Sequence, residues 1–391
     1  MFILRGVTWD NDRAVLPLLG TLPSWNAQHP GISVEWTTRP LSTFAHQPTD
    51  QLISSFDLIV LDHPHIGEAA ERRLIHPVEE LVNGEDALNQ HRATVGPTFR
   101  SYRWGGLTWA FPIDAACQVA VRRADLLPES ELVPSPTWEV LRSWVNANPQ
   151  RIGLPFNPVL SLMCLFSVCA SLGEGACQTV DRFVSPQVGV RAIAILQDIA
   201  RGSHPDTLDL GDTESFDLMS SSDEVFYIPL AFLYSNYSRS GYRHKTLKFE
   251  DIPASGSTPQ GGILGGAGLA VSSTCSEPGV AGKYAQWLAS PTVQSGIYVE
   301  HFGQPSAIGA WEDPAVNRQV GNAFSQTKET IDRAYLRPTY PGYVTFQEES
   351  GPIVREAILN ETDPITLITE LDRLHRGVRS GWEGDTNGDQ A

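Results

Sequence analysis

The sequence predicts an α/β protein of two lobes, and three observations carry that expectation. Strand-like and helix-like apolar patterns alternate over the first 74 residues, the pattern changes after Gly105-Gly106, and 391 residues make about two and a half units of roughly 150 residues. Phe2-Ile3-Leu4-Arg5-Gly6-Val7-Thr8-Trp9 reads as a buried strand, closed by the polar run Asp10-Asn11-Asp12. Val15, Leu18, Leu19, Leu22 and Trp25 then follow helical spacing, with Asp12 placed to cap the helix and Pro30-Gly31 to end it. Residues 32–36 alternate as a second strand. Residues 56–61 form a third, ending in Asp62-His63-Pro64-His65, and a helix over about 67–74 follows. Strand, helix, strand, helix, strand is the order of a parallel sheet with crossover helices.

Leu107-Thr108-Trp109-Ala110-Phe111-Pro112 leads into residues 113–121, where the chain passes towards the second lobe. Pro134-Ser135-Pro136-Thr137-Trp138-Glu139 is a turn with Thr137 as N-cap, before a helical stripe of Val140, Leu141, Trp144 and Val145. Residues 159–172 are apolar and free of charge but too short for the ~20 residues of a membrane span, so they predict a buried helix. A helix over 188–200, a strand over 224–229, a Gly-rich strand over 261–273 and helices over 280–288 and 364–376 complete the order. The tail 383–391 is expected to fray.

Composition narrows the function classes. With 41% apolar and 19% charged residues, 33 Gly and 28 Pro, the chain is turn-rich and globular, not disordered or fibrous. Its 28 Lys+Arg against 45 Asp+Glu give a net charge of −17 without a basic run, so nucleic acid and anionic membranes are not expected partners. Five cysteines, Cys117, Cys164, Cys169, Cys177 and Cys275, are odd in number and irregular in spacing, which favours free thiols in a reducing compartment. The opening MFILRGVTWDND has no basic segment followed by an apolar core and cleavage site. Either the native start lies elsewhere or the protein stays inside the cell.

Ordered phrases along nearly the whole chain resemble one family. The first lobe contributes its strand, its helix ending at Pro30-Gly31, the strand over 32–36, and the strand over 56–61 with Leu74-Ile75-His76-Pro77-Val78 beyond it. Then come Trp109-Ala110-Phe111-Pro112, Arg122-Arg123-Ala124-Asp125-Leu126-Leu127 and the most specific phrase, Pro136-Thr137-Trp138-Glu139-Val140-Leu141. Gly265-Gly266-Ala267-Gly268-Leu269-Ala270-Val271, the helix over 281–288, Ser290-Pro291-Thr292-Val293-Gln294 and Phe302-Gly303-Gln304-Pro305 close the series. In this order they resemble the extracellular solute-binding proteins of bacterial ABC importers, in the subgroup that binds carbohydrates. The resemblance implies a two-lobed periplasmic-binding-protein-like fold, each lobe a mostly parallel sheet flanked by helices, with the ligand cleft between lobes. It implies an N-terminal lobe over 1–113 completed by 261–310, a more helical lobe over 114–260 with 311–378 across it, and a disordered tail over 379–391. The implied protein is a monomer with no cofactor, working in the periplasm or outside the cell beside an ABC permease. The chain departs from the pattern in lacking the export signal and lipid-attachment cysteine, which keeps a cytoplasmic location open.

Ligands of such folds lie beyond the carboxyl ends of strands, which selects candidate contacts. After the first strand these are Trp9, Asp10 and Arg13; after the third, Asp62, His63 and His65; near the crossover, Asp114 and Gln118. A sugar needs aromatic faces and carboxylate or amide acceptors, and Trp9 beside Asp10 offers both, although Trp9 equally fits a core position. His63-Pro64-His65 beside Asp62 has zinc-compatible groups but no third ligand set by spacing, so hydrogen bonding to a ligand or a rigid turn is the simpler role. Gly265 and Gly266 suit close backbone approach to a ligand or to the other lobe, and Tyr234 and Phe302 fall by resemblance near the cleft rim. The expected function is capture of a small polar, carbohydrate-like solute and not catalysis. The alternatives are a cytosolic enzyme on the same scaffold, with Cys117 as nucleophile, or a cytosolic ligand sensor.

Overall fold

The computed structural model describes residues 2–40, 49–82, 92–127, 136–256 and 258–379. Strand β1 (Phe2–Trp9) lies parallel to β2 (Ile32–Arg39) on one side and to β3 (Leu58–Leu61) on the other. Parallel neighbours need a crossover, and α1 (Asp12–Gln28) supplies the one between β1 and β2. Asn11, not Asp12, caps that helix: its backbone is extended and its side-chain oxygen accepts the Arg13 N–H at 3.0 Å. The buried face is Arg13, Ala14, Pro17, Leu18, Thr21 and Trp25, so the expected stripe is rotated and Leu19 is left 46% exposed. Beyond β3, Asp62 caps a single 3₁₀ turn, His63–His65, which runs into the short helix Ile66–Glu71 in place of the expected helix over 67–74.

A two-residue ribbon, β4 (Arg103–Trp104) with β5 (Leu107–Thr108), precedes the longest strand, β6 (Phe111–Arg122), all twelve residues of which are buried. Burial on both faces explains why β6 shows no alternation in sequence. Its first half pairs with β9 (Leu264–Val271) and its second half with β7 (Tyr227–Phe232) and β8 (Lys248–Glu250), giving the order β2-β1-β3-β9-β6-β7 with β8 also on β6. One strand therefore belongs to the sheets of both lobes. The expectation of a mostly parallel sheet in each lobe is corrected: β9 runs antiparallel to β3 and to β6, and β7 and β8 run antiparallel to β6. Each of these strands runs back along β6, where a parallel partner would need a crossover returning the chain to the same end.

Among the described residues seven further long helices surround this frame: α2 (Trp138–Ala147), α3 (Pro158–Ser171), α4 (Pro186–Gly202), α5 (Asp212–Ser221), α6 (Pro278–Leu288), α7 (Tyr343–Leu359) and α8 (Pro364–Arg379). Thr137 caps α2 as expected, its hydroxyl oxygen accepting the Val140 N–H at 3.2 Å. The charge-free α3 is buried, and among the described residues no helix is long and apolar enough to cross a membrane. Helix α7 is not among the elements expected from the sequence, and it carries Gly351-Pro352 in its interior, a pair that works against helix continuation. Packing against α3 holds it, with the Ser161 hydroxyl donating to the Gly351 carbonyl at 2.9 Å. Arg379, placed by sequence in the tail, instead ends α8 in a buried position with its guanidinium 4.5 Å over the Tyr340 ring. The segment 383–391, expected to fray, lies outside the described residues.

The glycines of β9 answer to strand packing. Gly266 sits at φ +115, and a Cβ there would meet the Asp114 carbonyl oxygen at 2.4 Å; at Gly265 it would meet the Phe232 ring at 2.7 Å. They allow β9 to close on β6 and β7, so the close backbone approach expected of them is made to neighbouring strands. Gly266→Ala is expected to lower stability by about 1–3 kcal/mol in urea denaturation, from the positive φ alone. Gly279→Ala, in the first turn of α6 with nothing within 4 Å of the new Cβ, serves as the control and should be neutral or stabilising.

Candidate functional site

The junction of the lobes is built around Arg13. Its guanidinium is buried from the first turn of α1, with Nε donating to Asp114 Oδ2 at 2.8 Å and Nη2 donating to Asp114 Oδ1. Nη1 donates to the Leu233 carbonyl at 2.7 Å, just beyond β7, and the guanidinium lies 4.7 Å over the Tyr234 ring. Burial pushes the Asp114 carboxyl up, against the pull of Arg13. One side chain thus ties the start of α1 to the crossing strand and to the end of β7.

A second buried pair joins the β3 loop to the segment before α7. Asp62 accepts from Arg337 Nη2 at 2.6 Å and from the His63 N–H at 2.8 Å, while Arg337 Nη1 donates to Gln347 at 3.1 Å. Desolvation alone would raise the Asp62 carboxyl, but Arg337 and His63 hold it well below the usual carboxylate range. The His63 ring is fully buried, with Nδ1 3.1 Å from Asp62 Oδ1, and burial together with Arg337 pushes it down to about 4. It is neutral at neutral pH.

Beside the Arg13 junction lies a cavity of about 920 Å³. One wall is Asp12 and Leu16 of α1 with Phe302; the other is the run Ser238 to Arg243 and Thr246 with Arg318, Gln319 and Gly321. The Tyr242 hydroxyl donates to Asp12 at 3.0 Å, closing one edge. Arg239 lies 5.0 Å over the Phe302 ring and Arg243 4.3 Å over the Tyr242 ring, so the aromatic groups act as platforms for guanidiniums. Phe302 itself adopts φ 71, a left-handed conformation costly for a residue with a side chain and the kind of strain that gathers at functional sites.

Of the residues singled out by sequence, Phe302 lines the cavity, and Arg13, Asp114 and Tyr234 form the network beside it. Asp62 and His63 stand in the second buried pair, where Asp62 serves Arg337 and the loop cap; His65 is buried in the same turn. Asp10 is exposed, and its N–H donates to the Arg39 carboxyl-end carbonyl at 2.8 Å. Trp9, 4% exposed, packs in the apolar cluster beneath the first-lobe sheet. Gln118 is fully buried, accepting from the Ser167 hydroxyl at 2.6 Å with its amide nitrogen 3.6 Å from Cys164 Sγ; its polar atoms serve the core. Cys117 is fully buried and burial pushes its thiol well above the ordinary range, so the nucleophile reading is set aside. Among the described residues no three His, Cys, Asp or Glu side chains gather to hold a metal ion.

Sequence reasoning missed the segment that contributes Arg239, Ser240, Gly241, Tyr242, Arg243 and Thr246 to the cavity lining. Arg239-Ser240-Gly241-Tyr242-Arg243-His244-Lys245-Thr246-Leu247-Lys248 carries four of the chain's 28 Lys+Arg and no acid, a local basic run hidden by the overall acidity.

Residues 24–307 match a family model described as bacterial extracellular solute-binding protein. No curated protein sequence matches the chain. Among solved structures, the GacH receptor of Streptomyces glaucescens, determined unliganded and with acarbose and a homolog, is 16% identical over 97% of this chain and 99% of that one, with a TM-score of 0.78. A solute-binding protein of Thermotoga lettingae bound with α-D-tagatose is 18% identical over 97% of this chain and 100% of that one, at 0.79. Maltose-bound MalE3 of T. maritima is 15% identical over 97% and 100%, at 0.78. At these identities the likeness is one of fold.

Two outcomes test the junction. Asp114→Asn leaves the buried Arg13 guanidinium without its counter-charge and is expected to destabilise the protein by about 3–5 kcal/mol; an unchanged urea midpoint would contradict the burial described. For His63, the unfolded chain takes up a proton near pH 6.5 that the folded chain refuses until about 4. Stability should therefore fall as pH drops through that window, by up to about 1.4 kcal/mol per unit, and His63→Gln should flatten the slope.

Proposed function

The chain belongs to the bacterial extracellular solute-binding proteins, and on that premise we propose that it captures a small polar, carbohydrate-like solute between its lobes for an ABC-type importer. The observation that carries this is the cavity of about 920 Å³ walled by both lobes, within the size range of small-molecule sites. Its lining of Ser238, Ser240, Thr246 and Gln319, with arginines and Asp12, suits a solute rich in hydroxyl groups. The sugars named for the similar structures support the same class. Binding draws the walls together by a hinge motion in which β6, common to both sheets, is the connecting element. Delivery to a permease is work done outside the cytoplasmic membrane, and we propose that location for the chain.

Titration calorimetry with a panel of neutral sugars, polyols and sugar acids, joined to small-angle scattering, tests the proposal. A panel member should bind with a Kd of roughly micromolar or tighter and shrink the radius of gyration. Ser240→Trp, an exposed position on the cavity wall, should weaken that binding at least about tenfold, or ~1.4 kcal/mol, without lowering the melting temperature. Turnover of a panel member, or binding indifferent to Ser240→Trp, would sink it.

A further inference from the structure

The cavity is positively charged in a chain whose net charge is −17. Three arginines, Arg239, Arg243 and Arg318, line it against the single acid Asp12. Arg243 is shared with Asp217, whose Oδ1 accepts from its Nε at 2.7 Å. Among the described residues Arg239 and Arg318 have no carboxylate within ion-pair distance. Among the described residues Arg239 has one hydrogen bond, from Nη2 to the Val299 carbonyl at 2.7 Å, and its buried Nε has no acceptor. Desolvation without a counter-charge pulls this guanidinium down to about 10. A half-buried cation in that condition gains most from an anion supplied from outside, because no charge in its own fold compensates it. The Phe302 face holds the planar group in place beforehand, and a fixed guanidinium fork matches the oxygen pair of a carboxylate or phosphate. Arg318 lines the same cavity from the last turn of the short helix Pro314–Gln319.

We infer that the solute is anionic, a hydroxyl-rich body bearing a carboxylate or phosphate group that Arg239 and Arg318 hold, a proposal that rests on solute capture in this same cavity. A neutral sugar would leave the Arg239 charge desolvated and unpaired on closure, so the cavity should reject it relative to its acidic counterpart.

Calorimetry on the full chain with matched probes reads this directly: D-glucose against D-glucuronate and D-glucose 6-phosphate, and D-galactose against D-galacturonate. The acidic member should bind at least about tenfold tighter than its neutral partner, with the advantage shrinking at high salt. Preference for the uronates identifies a carboxylate, and preference for the sugar phosphate identifies a phosphate. Arg239→Gln should reduce the acid-over-neutral ratio to about threefold or less; Arg318→Gln, at an exposed position that leaves the Phe302 platform intact, should reduce it in the same direction. Equal or tighter binding of the neutral sugars overturns the anionic assignment and leaves solute capture standing. Binding of none of the probes, neutral or acidic, overturns capture of a carbohydrate-like solute and this assignment with it.

Discussion

Burying the Arg13 guanidinium is the constraint on which the arrangement of the lobes depends. A charge withdrawn from water must find a counter-charge and an acceptor for its donors, and here these come from three separate parts of the chain. Asp114 supplies both carboxylate oxygens from the crossing strand, Leu233 a carbonyl beyond β7, and Tyr234 a ring face. Satisfying Arg13 therefore sets the start of α1 against β6 and the end of β7 together. The cavity wall formed by Asp12 and Leu16 follows from it, since both stand within one helical turn of Arg13.

The crossing strand makes that constraint possible. Because β6 is buried along its whole length and pairs with β9 through one half and with β7 and β8 through the other, a residue near its start is within reach of both lobes. The glycines of β9 let the strands meet closely at this point, and the Asp114 carbonyl is the atom against which Gly266 packs. The Asp62–Arg337 pair repeats the device between the β3 loop and the segment before α7. Both are buried pairs whose attraction offsets desolvation only in one geometry, so their value lies in fixing position as much as in net stability.

Much of the fold was legible because its signals are local. Apolar spacing and capping residues gave β1, α1, α2, α3, α4 and α8, and the ordered phrases gave the family. Where a segment is held by packing the local signal misled: α7 contains Gly351-Pro352, and the sheet was expected to be parallel where β7, β8 and β9 run antiparallel to β6.

For the site, strand-end position drew attention to Arg13 and Asp62, the crossover to Asp114, and resemblance to Tyr234 and Phe302; in the fold Arg13, Asp114 and Tyr234 form the junction network, Asp62 the second buried pair, and Phe302 a cavity wall. Their partners could not be read. Asp114 is 101 residues from Arg13, and Asp62 is 275 from Arg337, so the groups that neutralise each charge are invisible to spacing. Trp9, Gln118, Gly265 and Gly266 carry the residue types of a binding site, yet burial assigns them to the core and to strand packing. Local sequence dictates which backbone conformation and which chemistry each position can offer, since both depend on the side chain and its near neighbours. Whether a charge meets a counter-charge, another lobe or open space depends on contacts that exist only once distant segments are brought together, and the folded chain alone settles that.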